Sequence, residues 1–193
     1  MLNTADNFSQ AFWNFQFNLL DIKNSYQFDS VTLVIFTALE AGIFEETERY
    51  LTLTTSLMLL KKSKWRVSLA VFISSAFFAL LHYGNIWTEG RSFQDVSVQV
   101  IETFGFGCFV AVLYLYTGQI WLSMLVHATT DLIVFSQTYI STGVGLMNGY
   151  SFGNYLTFGI GVAIPLIFTI FMLFGKRRKF MEENANRLIE KIA

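Results

Sequence analysis

The 193-residue sequence has little charge, one cysteine and two histidines. Charged residues make up 14% of the chain, whereas ordinary soluble domains carry about 25%. The single cysteine, Cys108, excludes an intrachain disulfide and a Cys-rich metal site. The net charge is −1 and the basic residues occur in small groups, so no nucleic-acid-binding surface is indicated. No basic residue precedes Lys23, and we therefore expect no cleavable signal peptide.

Apolar residues are abundant instead, at 53% of the chain with 17% aromatic. Because so few charges cannot cover a water-exposed surface, the sequence predicts an all-α, polytopic membrane bundle formed by a single domain, residues 1–193. About five transmembrane helices are expected, since five apolar segments approach or exceed the length of a span. These segments are 31–60, 67–88, 96–117, 119–141 and 154–175.

The first apolar segment is unusually long and carries charges in its middle. If it were split, the pieces 31–44 and 50–60 would each be too short to cross a bilayer alone. We therefore predict one long helix with a charged centre.

The two ends of the chain and one internal segment of the predicted core, 31–175, have patterns of their own. An apolar stripe in residues 1–30 predicts a helix that lies in the membrane interface or packs on the end of the bundle. Gly and Ser cluster at 141–153 and predict a loop. The tail, 176–193, has a helical pattern and a basic start. It is expected either to contact anionic lipid or to serve only as a topology anchor.

The basic residues also predict an orientation. If the spans alternate, ten of the thirteen Lys and Arg residues fall on one side, in the loop at 61–66 and in the tail. The positive-inside rule then predicts a multi-pass protein of the cell (cytoplasmic) membrane. Its N-terminus is expected outside and its C-terminus in the cytoplasm.

Charges in the first predicted span call for partners. Its centre contains Glu45, Glu46, Glu48 and Arg49, and each costs about 2.5–3.5 kcal/mol at the middle of a membrane helix. Glu45 and Glu46 lie within one helical turn of Arg49. One Arg cannot neutralise three carboxylates, so at least one Glu is expected to be protonated, hydrated or paired with another helix. Glu48 is interpreted as structural.

His82, His127 and Asp131 are the candidate partners on other spans. At about 1.5 Å per residue, Glu45 and His82 both lie about 22 Å from the cytoplasmic ends of their helices. His127 and Asp131 lie at about 12 and 18 Å. Ionisable residues from three helices in one layer of the membrane indicate a functional site more than packing. Carboxylate and imidazole groups can activate water directly or through zinc, and the spacing leaves both possibilities open.

The ordered motifs resemble the CAAX protease and bacteriocin-processing (CPBP, or Abi) family of intramembrane glutamic endopeptidases. The matching residues lie within 31–141 and are Glu45-Glu46 with Arg49, Phe78 with His82, and His127 with Asp131. The resemblance implies hydrolysis of a membrane-associated peptide or protein in the lipid bilayer, and we expect no cofactor, with zinc not excluded.

The resemblance also implies a role for each matching residue. Glu45 and His82 would activate the water, and Glu46 and Arg49 would maintain the geometry and charge of the site. His127 and Asp131 would stabilise the oxyanion.

Two positions depart from the family pattern. The sequence has EExxR where EExxxR is usual, and the shorter spacing also resembles the YhfC-type intramembrane proteases. Asp131 stands where many members have Asn, and an ionised Asp accepts hydrogen bonds but donates none. Two other functions stay open: a non-catalytic membrane protein of bacteriocin immunity or regulation, and a less favoured proton or ion pathway.

Overall fold

The computed structural model describes residues 31–135 and 152–192, and within them all regular secondary structure is helical. The predicted all-α bundle is thereby confirmed. The predicted interfacial segment 1–30 and most of the predicted loop 141–153 lie outside the described residues. The helices are α1 (Val31–Leu59), α2 (Arg66–Leu81), α3 (Asn85–Thr88), α4 (Phe93–Thr117), α5 (Ile120–Phe135), α6 (Phe152–Met172) and α7 (Gly175–Ile192), with a 3-10 turn at His82–Gly84.

The helix bounds follow the predicted segments more closely than the number of spans does. α1 is one continuous helix of 29 residues, as predicted. Within the described ranges, however, only Arg66–Thr88 and Phe93–Thr117 are long and apolar enough to cross a membrane. A third span exists if Phe158–Met172 and Gly175–Glu190, bent by 81°, count as one. The difference from five arises because α1 carries central charges and α5 has 16 described residues.

One stripe of α1 faces the protein. Its buried positions recur every three or four residues, the period of one helix face. Phe36, Phe44 and Leu51 are exposed between them and present apolar surface outward. The stripe consists of Val34, Ala38, Gly42, Glu46, Arg49, Leu53 and Leu57. Two of its members, Glu46 and Arg49, are charged, so the fold places a carboxylate and a guanidinium inside the protein.

Close helix contacts bring α1 and α5 together. A Cβ atom on Gly42 would lie 2.7 Å from the Met124 carbonyl oxygen and 2.9 Å from the Ala128 backbone nitrogen. Only glycine permits this approach, which is the way small residues bring membrane helices together. Glu46 lies one turn further along α1 and His127 directly precedes Ala128. The contact at Gly42 therefore places these two side chains face to face.

α4 packs against α2, α5, α6 and α7. Its first turn is capped by Ser92, whose Oγ accepts a hydrogen bond from the Asp95 backbone N–H at 3.1 Å. Its C-terminal end is closed by Gly118, which has a left-handed φ of 70° and leads directly into α5. The Ser92 cap and the Gly118 turn therefore define where α4 begins and ends.

α7 lies across one end of the bundle. Met181 and Ala185 of α7 are buried in the main apolar core, and the Asn184 amide donates to the Leu115 carbonyl at 3.0 Å. That bond satisfies a backbone acceptor near the end of α4. Arg66 of α2 donates to the Asn186 side chain at 2.8 Å. The tail therefore forms a helix, as its pattern predicts, and one face of that helix contacts the protein.

Candidate active site

His127 of α5 lies at the centre of a cluster of carboxylates. Its Nδ1 is 2.7 Å from Oε1 of Glu46, a hydrogen bond between α5 and α1. Its Nε2 is 3.6 Å from Oε2 of Glu45 and 3.6 Å from Oδ2 of Asp131. The Phe106 ring of α4 meets the imidazole edge to face, with ring centres 5.2 Å apart. Side chains of three helices thus surround one imidazole, and the predicted carboxylates among them come from α1 and α5.

Glu46 and Arg49 form the most deeply buried part of this cluster. They are 3% and 2% exposed, and Arg49 Nε donates to Glu46 Oε1 at 3.1 Å. The same carboxylate oxygen therefore joins Arg49 to His127. The guanidinium carbon lies 4.0 Å from the centre of the Phe78 ring of α2, a cation–π contact.

The rest of the Arg49 guanidinium contacts the backbone of α4. A Cβ atom on Gly107 would collide with Arg49 Nη1. Among the described residues, Nη1 and Nη2 of Arg49 have no hydrogen-bond partner, although both are buried. Packing therefore confines the guanidinium between helices, while a single hydrogen bond directs it towards Glu46.

Glu45 and His82 occupy more open positions. The side chain of Glu45 is 35% exposed, and His82 is half-buried at the end of α2, where the 3-10 turn begins. His82 Nδ1 is 3.3 Å from the Phe78 carbonyl oxygen. In the part of the chain that the structure describes, no hydrogen bond or ion pair joins His82 to Glu45. The structure thus brings five of the six predicted site residues into direct contact and leaves His82 apart.

Sequence reasoning missed three residues that shape the site. Gly42 and Gly107 make room for α5 and for Arg49, and Phe106 packs on His127. The available signal was the Gly105-Phe106-Gly107 sequence within a long apolar segment. Isolated glycines in a helix usually have a packing or functional reason.

The charges of the cluster do not cancel. Three carboxylates surround one Arg and one His, so the sum is −1 when all three carboxylates are ionised and the imidazole is protonated. Within residues 31–135 and 152–192, no group of three or more His, Cys, Asp or Glu side chains is arranged to hold a metal ion. Separations of 3.6 Å are longer than direct hydrogen bonds but lie within the range of ion-pair contacts.

Comparison with protein families identifies the chain. Residues 27–133, more than half of the sequence, match the family described as type II CAAX prenyl endopeptidase Rce1-like. The matched range includes every predicted site residue from Glu45 to Asp131. No curated protein and no solved structure matches the chain. The chain therefore belongs to the Rce1-like type II CAAX endopeptidase family and is a membrane protease.

Proposed function

We propose that this protease hydrolyses a peptide bond in a membrane-associated peptide or protein with a water activated by Glu45 and His82. The observation that carries the proposal is the position of His127 Nε2, 3.6 Å from the carboxylates of both Glu45 and Asp131. These groups are too close together for a water to lie between them, and a water held beside them can contact both acid–base groups. A partly exposed carboxylate beside an imidazole is a suitable pair for general acid–base catalysis.

In the proposed reaction, Glu45 takes a proton from the water while the water oxygen attacks the carbonyl carbon. The Nδ1 of His82 faces the Phe78 carbonyl, and an N–H at that position leaves Nε2 as an acceptor for the same water. The tetrahedral intermediate then collapses as the C–N bond breaks. The proton held by Glu45 passes to the departing nitrogen, so the carboxylate returns to its starting state.

His127 is proposed to stabilise the oxyanion of that intermediate. Its Nδ1–H donates to Glu46 at 2.7 Å, which orients the ring, and when the imidazole is protonated its Nε2–H donates towards the substrate. Preorganised donors of this kind are most effective where water is excluded. Glu46 and Arg49 maintain the orientation of His127, and Asp131 directs its Nε2.

Peptide analysis of cells tests the catalytic proposal. Membrane and secreted peptides are compared among cells with wild type, Glu45→Gln, Glu40→Gln or no copy, at matched expression. Glu40 is an exposed carboxylate on the same helix and serves as the control. A precursor is expected to accumulate with Glu45→Gln and with no copy, but not with Glu40→Gln. If Glu45→Gln matches wild type while cells without the gene differ, a non-catalytic binding role replaces the protease mechanism.

The proposed mechanism uses no cofactor. Activity of the purified protein is therefore expected to survive dialysis against EDTA. Loss of activity that zinc restores would contradict a mechanism without metal.

We also propose that the protein lies in the cell membrane with the α1–α2 connection and α7 on the cytoplasmic side. The ten basic residues grouped there support this orientation. A reporter fused to the C-terminus and active only in the cytoplasm tests it, since an inactive reporter at normal expression would reverse the orientation.

A further inference from the structure

A groove between α1 and α2 lies beside the candidate active site. It has a volume of about 290 Å³ and is lined by Glu48, Leu51 and Thr52 of α1 and by Phe77, Phe78 and Leu81 of α2. Phe78 belongs to both regions, because its ring also contacts Arg49 and His82. Whatever occupies the groove therefore lies next to the proposed catalytic groups.

Glu48 is the charged group in this groove. Its side chain is exposed and has no hydrogen bond or ion pair among the described residues. Glu48 precedes the end of α1 by about 16 Å along the helix axis. In a hydrocarbon layer about 30 Å thick, an unpaired carboxylate at that depth is strongly unfavourable. Protonation, water or a cation would relieve this cost.

The walls of the groove favour a cation. Phe77 is 53% exposed, and an exposed aromatic face attracts ammonium and guanidinium groups. The volume is slightly below the range of about 300–1,000 Å³ that is usual for small-molecule pockets. One long side chain with its neighbours fits this space better than a large ligand does. Lys and Arg combine an apolar stem with a charged end and suit such a surface.

We propose that the groove binds a Lys or Arg side chain of the peptide substrate, with its charged end paired to Glu48. Glu45 lies one helical turn from Glu48, which puts the two residues about 5–6 Å apart at Cβ. A basic residue held at Glu48 would present a nearby peptide bond to Glu45. Glu48 is then a specificity-determining residue, and this assignment rests on the proposed function only for the cleavage step.

An uncharged ligand would fit the groove less well than a cationic side chain. A prenyl or acyl chain would contact Leu51, Phe77 and Leu81, but it would leave the Glu48 carboxylate desolvated without a partner. A cationic side chain satisfies both the apolar walls and the carboxylate.

Peptide binding to the full-length protein provides the test. The protein carries Glu45→Gln to prevent cleavage and is placed in nanodiscs of zwitterionic lipid. Two fluorescent hydrophobic peptides differ only by Lys or Gln at one central position. We expect the Lys peptide to bind about tenfold more tightly by fluorescence anisotropy. Addition of Glu48→Gln should reduce this ratio to about 1, whereas Glu40→Gln should preserve it.

Charge reversal sharpens the test. Glu48→Lys is expected to favour a peptide with Glu at the central position, and Glu48→Asp should retain the preference for Lys. Equal binding of the Lys and Gln peptides, no binding of either, or an equal effect of Glu40→Gln would overturn the proposal.

A cleavage assay distinguishes failure of the Glu48 proposal from failure of the proposed function. Protein with Glu45 restored is incubated with both peptides. If the Lys peptide binds selectively but neither peptide is cleaved, the proposed protease mechanism fails and the Glu48 site stands. If both are cleaved with equal kcat/KM, the protease mechanism stands and the assignment of Glu48 fails.

Discussion

The two histidines of the protein occupy contrasting environments. His127 is buried, bonded to Glu46 and close to two further carboxylates. His82 is half-buried at a helix end, where its described contacts are with the carbonyl and the ring of Phe78. One proposed site therefore contains two kinds of histidine. His127 is part of the charge network that joins α1 to α5, whereas no ion pair among the described residues involves His82.

Helix geometry explains the contrast. Gly42 lets α5 approach α1 until Glu46 and His127 form a 2.7 Å hydrogen bond. At the end of α2, the α-helix changes to a 3-10 turn at His82–Gly84. A cap position is less constrained by neighbouring helices than the middle of a packed helix. Substitutions should therefore affect stability at one histidine and chemistry at the other.

The largest loss of stability is expected for His127→Ala. This change removes a partner from the buried Glu46 carboxylate and leaves it near the partly buried carboxylates of Glu45 and Asp131, so the free energy of unfolding should fall by about 3–5 kcal/mol. Cys108 is the only cysteine and is buried. Its labelling by a thiol reagent in detergent measures opening of the fold. Wild-type labelling rates in His127→Ala would show that the network does not stabilise the bundle.

A smaller loss is expected for Gly107→Ala. The added methyl group would collide with Arg49 Nη1 and displace the guanidinium that directs Glu46. Overpacking of this kind costs about 1–3 kcal/mol, and activity should fall with it. Thermal unfolding followed by circular dichroism measures the change without relying on the neighbouring Cys108.

Gly159→Ala is the matched control for that substitution. Nothing lies within 4 Å of a Cβ at Gly159 in α6, and Ala is favoured over Gly in a helix by about 0.5–1 kcal/mol. The control should therefore be neutral or slightly stabilising. Equal stability of the two variants would mean that the space at Gly107 is not needed by Arg49.

Much of the fold could be predicted because helix length and apolar periodicity are local properties. A single helix is predicted for α1 because neither half of its sequence is long enough to span a membrane alone. The structure confirms one continuous helix. The buried stripe from Val34 to Leu57 was also accessible from the spacing of small and apolar residues. Within that stripe, Glu46 and Arg49 are the polar exceptions. The motif residues on α1 and α5 therefore came together as expected.

The distances between side chains on different helices could not be predicted from local sequence patterns. Counting residues from helix ends put Glu45 and His82 at the same depth, yet no described contact joins them. Depth along a helix leaves its rotation and its neighbours undetermined. The same counting put His127 about 10 Å from the depth of Glu45, although the two side chains are 3.6 Å apart. The contact at Gly42, which brings the helices together, has no counterpart in a depth estimate.

His82→Ala should affect activity far more than stability. One hydrogen bond to the Phe78 carbonyl is lost, which costs about 1 kcal/mol or less. Loss of a general acid–base group lowers the rate by about 10²–10⁴-fold. Peptide cleavage and Cys108 labelling are measured on the same preparation. If His82→Ala unfolds as readily as His127→Ala, the distinction between the two histidines is wrong.

The smallest effect is expected for Asp131→Asn. Asp131 lies 3.6 Å from His127 Nε2, beyond direct hydrogen-bond distance, and is only partly buried. The change leaves two carboxylates opposite one Arg and one His, so the charges of the cluster can balance. The Asn amide has the same shape and can itself donate a hydrogen bond to the oxyanion. Activity should therefore stay within about tenfold of wild type, with unchanged Cys108 labelling.

Asp131→Leu is the informative companion to that variant. It has a similar size but can neither orient His127 nor donate to an oxyanion, so cleavage should fall further than with Asn. Steady-state kinetics on one peptide compare the two variants. If Asn and Leu reduce kcat to the same low level, the carboxylate itself is required. Asp131 would then act as a proton acceptor in the reaction, and the oxyanion would depend on His127 alone.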